Sequence, residues 1–439
     1  MRRELSLIGA VALVGLASCS PINQADTGGG GGNDGTTATK TDSGTGAGGA
    51  GVGGEGGDLF EIGGGPAGGA GGGVQDCNSG PNDDFDMDGY TFSQGDCNDC
   101  DANVNPKAIE VMTDTGEGGS GPGVPVDEDC DDLIDDADPD LLPCDAGLLV
   151  DGGPYDAIKA IDLCKVATNA DEWGVLEAKW IMADGSPPAG GNFDLGHGIL
   201  AGFGPNVNVQ KGDRMLAVSS GAARQPSDPG YQSPGGFSKG YSCNHPFGFP
   251  KESPSCGVAV TGGCYDSTGL EVKIRVPSNA QGFSFNFNFF TFEWPGYVCS
   301  TFNDFFTTIL SPYPVGQSDG NIVFDNLGNP VSVNNAFVDV CGCFGGPPCF
   351  AGGKTFDCTL GTAGLQGNGF GTDLAGSDHG STYWLSTQAP VTPGSEITLQ
   401  FVAYDSGDGI LDSTGLVDNF TWIAEPGTKI ETKPIPDPQ

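Results

Sequence analysis

The sequence predicts an all-β protein: a disulfide-bonded, jelly-roll-like β-sandwich, preceded by a small irregular Asp-rich module and a disordered Gly-rich tether. Three observations predict it. Short runs of alternating apolar and polar residues, separated by turn residues every eight to twelve positions, recur from about residue 154 to 425. The chain has 15 cysteines, and setting aside Cys19 leaves 14, an even number suited to pairing in an oxidising compartment. The 77 glycines are unevenly spread and shorten the part that can fold.

Residues 1–18 carry Arg2 and Arg3, then an apolar run over 5–16, then Ala17 and Ser18 immediately before Cys19. This is an export signal, too short for a permanent span of about 20 residues. Residues 19–75 are rich in Gly, Thr, Ser and Ala, and cannot bury enough apolar surface to offset their ordering entropy. They are expected to form a tether with an r.m.s. reach of roughly 40 Å. Residues 76–151 hold 19 Asp and three Glu against the single Lys107.

Residues 152–427 change character, rich in Phe, Val, Thr, Asn and Gly. In 282–289, Phe283, Phe285, Phe287 and Phe289 share one face of a strand, and Ser284, Asn286 and Asn288 the other. In 396–404, Ile397, Leu399, Phe401 and Ala403 repeat the pattern. Only 155–163 reads as helix, through Ile158, Ile161 and Cys164. The Pro-rich residues 428–439 read as a tail. Among the cysteines, Cys256 with Cys264 and Cys349 with Cys358 are natural partners for small loops.

The formal net charge of −40 excludes nucleic acid and anionic lipid surfaces as electrostatic partners and makes cations the obvious counter-ligands. Asp84, Asp86 and Asp88 stand at alternate positions before Gly89. Calcium takes six to eight oxygen ligands, and this spacing supplies three side chains and then a backbone carbonyl, that of Tyr90. An EF-hand would next need a bidentate Glu, where Gly95 stands instead; Asp96, Asp99 and Asp101 are the candidates to complete the set. A solvated acidic linker is the alternative. A second candidate calcium loop is Asp405, Asp408 and Asp412 on a Gly-rich turn, with Asn303, Asp304 and Glu293 approaching from another edge, although Asp and Gly also populate tight turns for backbone reasons alone.

The segment Leu16-Ala17-Ser18-Cys19 resembles the lipobox of bacterial lipoproteins. The resemblance implies that the Cys19 thiol is acylated and anchors the chain in the outer membrane, Ser20 lacking the Asp that marks inner-membrane retention. The acidic block resembles the MopE-type metal-binding motif of bacterial surface proteins. The residues that carry this likeness are Asp84, Asp86, Asp88, Gly89 and Tyr90; Asp96, Cys97, Asn98 and Asp99; Val104, Asn105, Pro106, Ala108 and Glu110; then Asp129, Cys130, Asp131, Ile134 and Asp135. This resemblance implies a Cys97–Cys130 bridge; Cys100 and the Gly-rich insertion over 113–123 depart from the pattern. Three stretches, 195–221, 285–310 and 401–420, resemble the choice-of-anchor L domain of bacterial, notably myxobacterial-type, surface proteins, which implies a surface-exposed β-rich domain.

Catalysis is not expected. The chain has three histidines and no G-x-S-x-G elbow, and neither His197 nor His379 has the context of a Ser/His/Asp triad. Cys341, Cys343, Cys349 and Cys358 suit disulfides better than a zinc knot in an exported chain. The sequence thus predicts a non-enzymatic surface lipoprotein that binds calcium and meets an extracellular protein or glycan. The alternative is a carbohydrate-binding module or secreted hydrolase, with Tyr231, Trp294, Tyr297 and Trp384 as a glycan platform.

Overall fold

The computed structural model describes residues 80–111, 125–134, 142–256, 262–371 and 379–435. The export signal, Cys19, the tether, the insertion at 113–123 and Asp135 lie outside them. In chain order, α1 (Pro154–Lys159) is followed by β1 (Gly174–Ile181), β2 (His197–Leu200), β3 (Met215–Ser219), β4 (Ser242–Cys243), β5 (Cys264–Arg275), β6 (Gly282–Thr291) and β7 (Phe305–Ser311). Then come β8 (Cys349–Ala351), β9 (Lys354–Phe356), β10 (Gly380–Ser381), β11 (Leu385–Pro390), β12 (Glu396–Ser406), β13 (Ser413–Ile423) and β14 (Glu431–Pro434).

Two antiparallel sheets form the sandwich. One has the order β1-β5-β12-β7, with β4 on β5; the other runs β14-β11-β6-β13-β3-β2, with β10 on β6. The chain changes sheet from β5 to β6 to β7, and again from β11 to β12 to β13, which places β12 between β5 and β7. That alternation is the jelly-roll-like arrangement expected from the sequence.

Period-two patterning explains the core. Phe283, Phe285, Phe287 and Phe289 are all fully buried, facing Leu270, Val272 and Ile274 of β5 and Ile397, Leu399, Phe401 and Ala403 of β12. Phe285 meets Phe401 edge-on at 5.1 Å, and Phe287 stacks on Phe306 at 5.3 Å. Each such ring contributes about 1.5–3 kcal/mol by leaving water. The other face of β6 is buried as well. Phe290 packs there with Phe203, Phe370 and Trp384 from covering loops, and Asn288 accepts a hydrogen bond from the Ser381 hydroxyl. The outer face of the first sheet is likewise covered, where Tyr404, Phe305 and Val402 pack beside Cys243 and Phe249.

The helix is shorter than the 155–163 expected. Pro154 occupies its first turn, where a missing N–H costs nothing, and Ala157 and Ile158 face the core. Asp162, at φ 68°, ends the helical path, and Ile161 and Leu163 reach the same core from the loop beyond.

Several disulfide and boundary expectations are corrected. Cys256 bonds Cys299 and Cys264 bonds Cys243, so neither closes a short local loop. Cys349 bonds Cys343 and Cys358 bonds Cys341, and these four line a small core with Trp294, Val298 and Phe356. Glu431–Pro434, expected within a tail, is the edge strand β14 paired with β11. Residues 142–151, expected within the acidic module, pack on the sandwich instead. Cys144 bonds Cys164, Asp145 accepts from the amides of Asp213 and Arg214, and Asp151 pairs with the buried Arg224. Their acids serve backbone amides and an arginine.

Candidate metal centre

Among its described residues the acidic module has turns, one short 3-10 helix (Phe92–Gln94) and no strand, and it is closed by the Cys97–Cys130 disulfide; Cys100 is disulfide-bonded as well. Its shape comes from aspartates that each cap a nearby amide. Asp84 accepts from Gly89 N at 3.1 Å, Asp86 from Asp88 N at 3.2 Å, and Asp88 from Tyr90 N at 2.8 Å. Asp96 accepts from Asn98 N at 2.8 Å, and Asp99 from Phe85 N at 3.0 Å. Gly89, at φ 98°, makes the turn that brings these loops around.

One oxygen of each is therefore spent on the backbone, and the second oxygens of Asp86, Asp88, Asp96 and Asp99 are buried. Oxygens of Asp84, Asp86 and Asp99 lie within 4.8 Å of one another, and so do oxygens of Asp86, Asp88 and Asp96. A calcium ion holds its oxygens at 2.3–2.6 Å, so ligands on opposite sides stand about 5 Å apart. The spacing fits. The second oxygens of Asp86 and Asp96 are buried without a hydrogen-bond partner, and Asp96 is only 1% exposed. Burial, reinforced by neighbouring carboxylates, raises the Asp86 and Asp96 carboxyls and takes Asp88 up to about 6. Lys107, the one lysine of this stretch, stands over the Tyr90 ring at 5.4 Å.

Of the other predicted ligands, Tyr90 follows Asp88 in the turn. Asp101 belongs to neither triad; it caps Asn103 through both the backbone and side-chain amides. A third triad, Glu110, Asp127 and Asp129, has its oxygens within 4.8 Å too. Sequence reasoning did not assign it as a site, although Asp127 and Asp129 repeat the alternate spacing of Asp84, Asp86 and Asp88.

The module docks on the turn between β5 and β6. Asn279, buried to 1%, accepts from Ile109 N at 3.0 Å and donates to Ile109 O at 2.9 Å. Ser278 N donates to Lys107 O, and the Ser278 hydroxyl donates to Asn105 at 2.7 Å. The Asn105 amide in turn lies beside Asp88.

Asp405, Asp408 and Asp412, the second candidate loop, are not among the acidic triads of the described residues whose oxygens lie within 4.8 Å of one another. Asp408 is partly exposed and caps Ile410 N at 3.2 Å. Asp405 on β12 and Asp412 just before β13 are each 1% exposed; Asp405 lies near Glu293 and Asp304, and Asp412 near Asp405. Burial raises all four carboxyls well above the usual range. The buried Lys239 amine stands among them, brought down to about 7 by desolvation, and donates to Ser219 O at 2.8 Å. The acidic triads compact enough to share an ion, among the described residues, are all in the module. Asp405 lies within a strand and Asp408 in the turn after it, which spacing alone does not reveal.

The three histidines occupy different surroundings. His197 stacks on Trp180 at 3.9 Å and is held to about 3 by burial, with Arg224 and Lys239 adding to it. His245 contacts Gly262 O, and His379 stacks on Phe292. Of the proposed glycan platform, Trp294 and Trp384 are buried, at 0% and 2% exposure; Tyr297 is exposed and Tyr231 half-buried. Trp384 does line a cleft of about 640 Å³, with Phe337, Phe356, Tyr383, Asp339 and Lys354.

Residues 258–418 match the family model of the choice-of-anchor L domain. No curated protein and no solved structure matches the chain. The matched stretch contains β5 through β12 and reaches Asp418 in β13, so it includes the strands at the centre of both sheets. It points to a protein of the cell surface or envelope.

Proposed function

We propose that this is a non-enzymatic surface lipoprotein that presents its β-sandwich for adhesion or recognition on a calcium-stiffened joint. The observation that carries the reading is the pair of aspartate triads with buried, partnerless oxygens on Asp86 and Asp96. Stripped of cations, the carboxylates repel; with calcium, they are drawn into one shell, and the loops are tied to the sandwich through Asn105 and Asn279. Acylation of Cys19 would hold the chain in the outer membrane, with residues 20–75 as its reach. The cleft beside Trp384 supports recognition of an extracellular protein or glycan, being of a size that holds a small ligand.

The test uses the full chain. Calcium at millimolar concentration, the range of extracellular modules, is expected to give binding heat and to protect residues 80–134 from proteases. Chelator removes the protection, and changing both Asp86 and Asp88 to Asn weakens it. Equal cleavage with and without chelator, and no heat, would return the block to a solvated linker. Separately, Cys19→Ala should leave the protein unprocessed or free of the membrane fraction; a normally processed, membrane-bound product refutes the anchor.

A further inference from the structure

Resting on the calcium reading of this module, we propose that it holds two cations rather than one, with Asp86 bridging them. Asp86 belongs to both triads, that with Asp84 and Asp99 and that with Asp88 and Asp96. A carboxylate has two oxygens and can serve two ions, and the Asp86 oxygen that no amide occupies is buried without a partner. Independent of the cluster's charge, the Asp96 side chain points to a ligand. It is 1% exposed, its Oδ1 is taken by Asn98 N, its Oδ2 is buried with no donor, and a carboxylate oxygen of it lies within 4.8 Å of oxygens of Asp86 and Asp88. A buried carboxylate oxygen in that position is costly unless a cation meets it.

Charge supports the count. The five aspartates carry five negative charges; one divalent ion leaves three, and two leave one. The residual charge after a single ion would sit within the second triad, where Lys107 is turned to Tyr90 instead.

The two positions differ in surroundings. Asp84 is exposed, whereas Asp96 is buried and Asp88 lies beside Asn105, which accepts from Ser278 of the sandwich. The inner ion is therefore the one coupled to the joint, and the outer ion the one more open to solvent exchange.

The experiment is equilibrium dialysis of the full chain against calcium, with bound metal counted for the wild type and for three isosteric variants. Asp84→Asn and Asp96→Asn should each lower the count by one, and Asp86→Asn by two. Counting differences removes the contribution of the third triad and of diffuse surface binding. In the wild type, terbium and neodymium bound together should show luminescence energy transfer, which needs two ions a few ångströms apart, and Asp86→Asn should abolish it. A loss of one ion in Asp86→Asn, or no energy transfer in the wild type, overturns the bridge while calcium binding stands. If none of the three variants lowers the count, both this inference and the calcium reading fail.

Discussion

Asp418 should contribute a fall in stability as pH rises from 5 to 8, against the usual behaviour of carboxylates, and its share can be worked from its surroundings. It lies on β13 with its carboxylate buried beneath the 208–211 loop, accepting from Gln210 N and Asn419 N. Burial dominates those hydrogen bonds, and with Asp162 nearby the carboxyl rises from 3.8 to about 8. The folded state therefore keeps a proton that the unfolded chain releases near pH 4. For a group raised on folding, the favourable contribution is complete below the unfolded value and is lost up to the folded value. Each pH unit in that window costs about 1.4 kcal/mol, so pH 5 to 8 removes roughly 3–4 kcal/mol. Asp162, raised to about 6 chiefly by burial, adds in the same direction over the lower part of the window. At 2–4 °C per kcal/mol for a domain of this size, the Asp418 share of the change in melting temperature is a drop of about 10 °C. The assay is thermal unfolding in chelator, which removes the opposing effect of the metal module. Asp418→Asn should flatten the slope by about 1.4 kcal/mol per pH unit. Identical slopes in wild type and variant would refute the reasoning.

Two further outcomes test the architecture. Asn279→Ala deletes both hydrogen bonds to Ile109 and leaves its amide and carbonyl buried. It should cost about 2–3 kcal/mol and expose residues 80–134 to protease even in calcium, whereas a calcium-protected module would show that docking does not depend on it. Phe285→Ala opens a cavity between the sheets at a ring that is fully buried. Denaturant unfolding should report a loss of about 3–5 kcal/mol at an unchanged m-value, and a loss under 1 kcal/mol would contradict the packing described.

What the sequence made legible was local. Phe283 to Phe289 reads as a core strand because side chains alternate strictly across a sheet, and Ile397 to Ala403 for the same reason. Asp84, Asp86 and Asp88 read as ligands because a turn of successive residues can wrap one ion. Non-local features were not legible. The Cys256–Cys299 bond spans 43 positions, and no short-loop rule selects it. Asn288 looked like an outward residue because its strand could not announce that Ser381 and Thr382, 93 and 94 positions away, donate to it in a buried setting. Glu431–Pro434 looked like a tail because proline lacks a ladder donor. At the end of an edge strand, however, that donor is not needed, and Pro434 pairs opposite Leu385 there.

The same principle separates the aspartates, which sequence treats as one type. Asp266 is fully buried and accepts from Tyr241 N, Lys239 N and the Ser238 hydroxyl within the fold. Asp418 has three backbone donors as well, Gln210, Asn419 and Lys211, yet burial and the nearby Asp162 outweigh them and it keeps a proton. Asp96 is as buried, has a single amide donor, and is ringed by other carboxylates within the spacing of one coordination shell. Three donors serve each of the first two, of which the second keeps a proton, whereas the third has one donor and a ring of carboxylates that a cation suits. The surroundings of each carboxylate, set by the fold, therefore separate structural acids from candidate ligands.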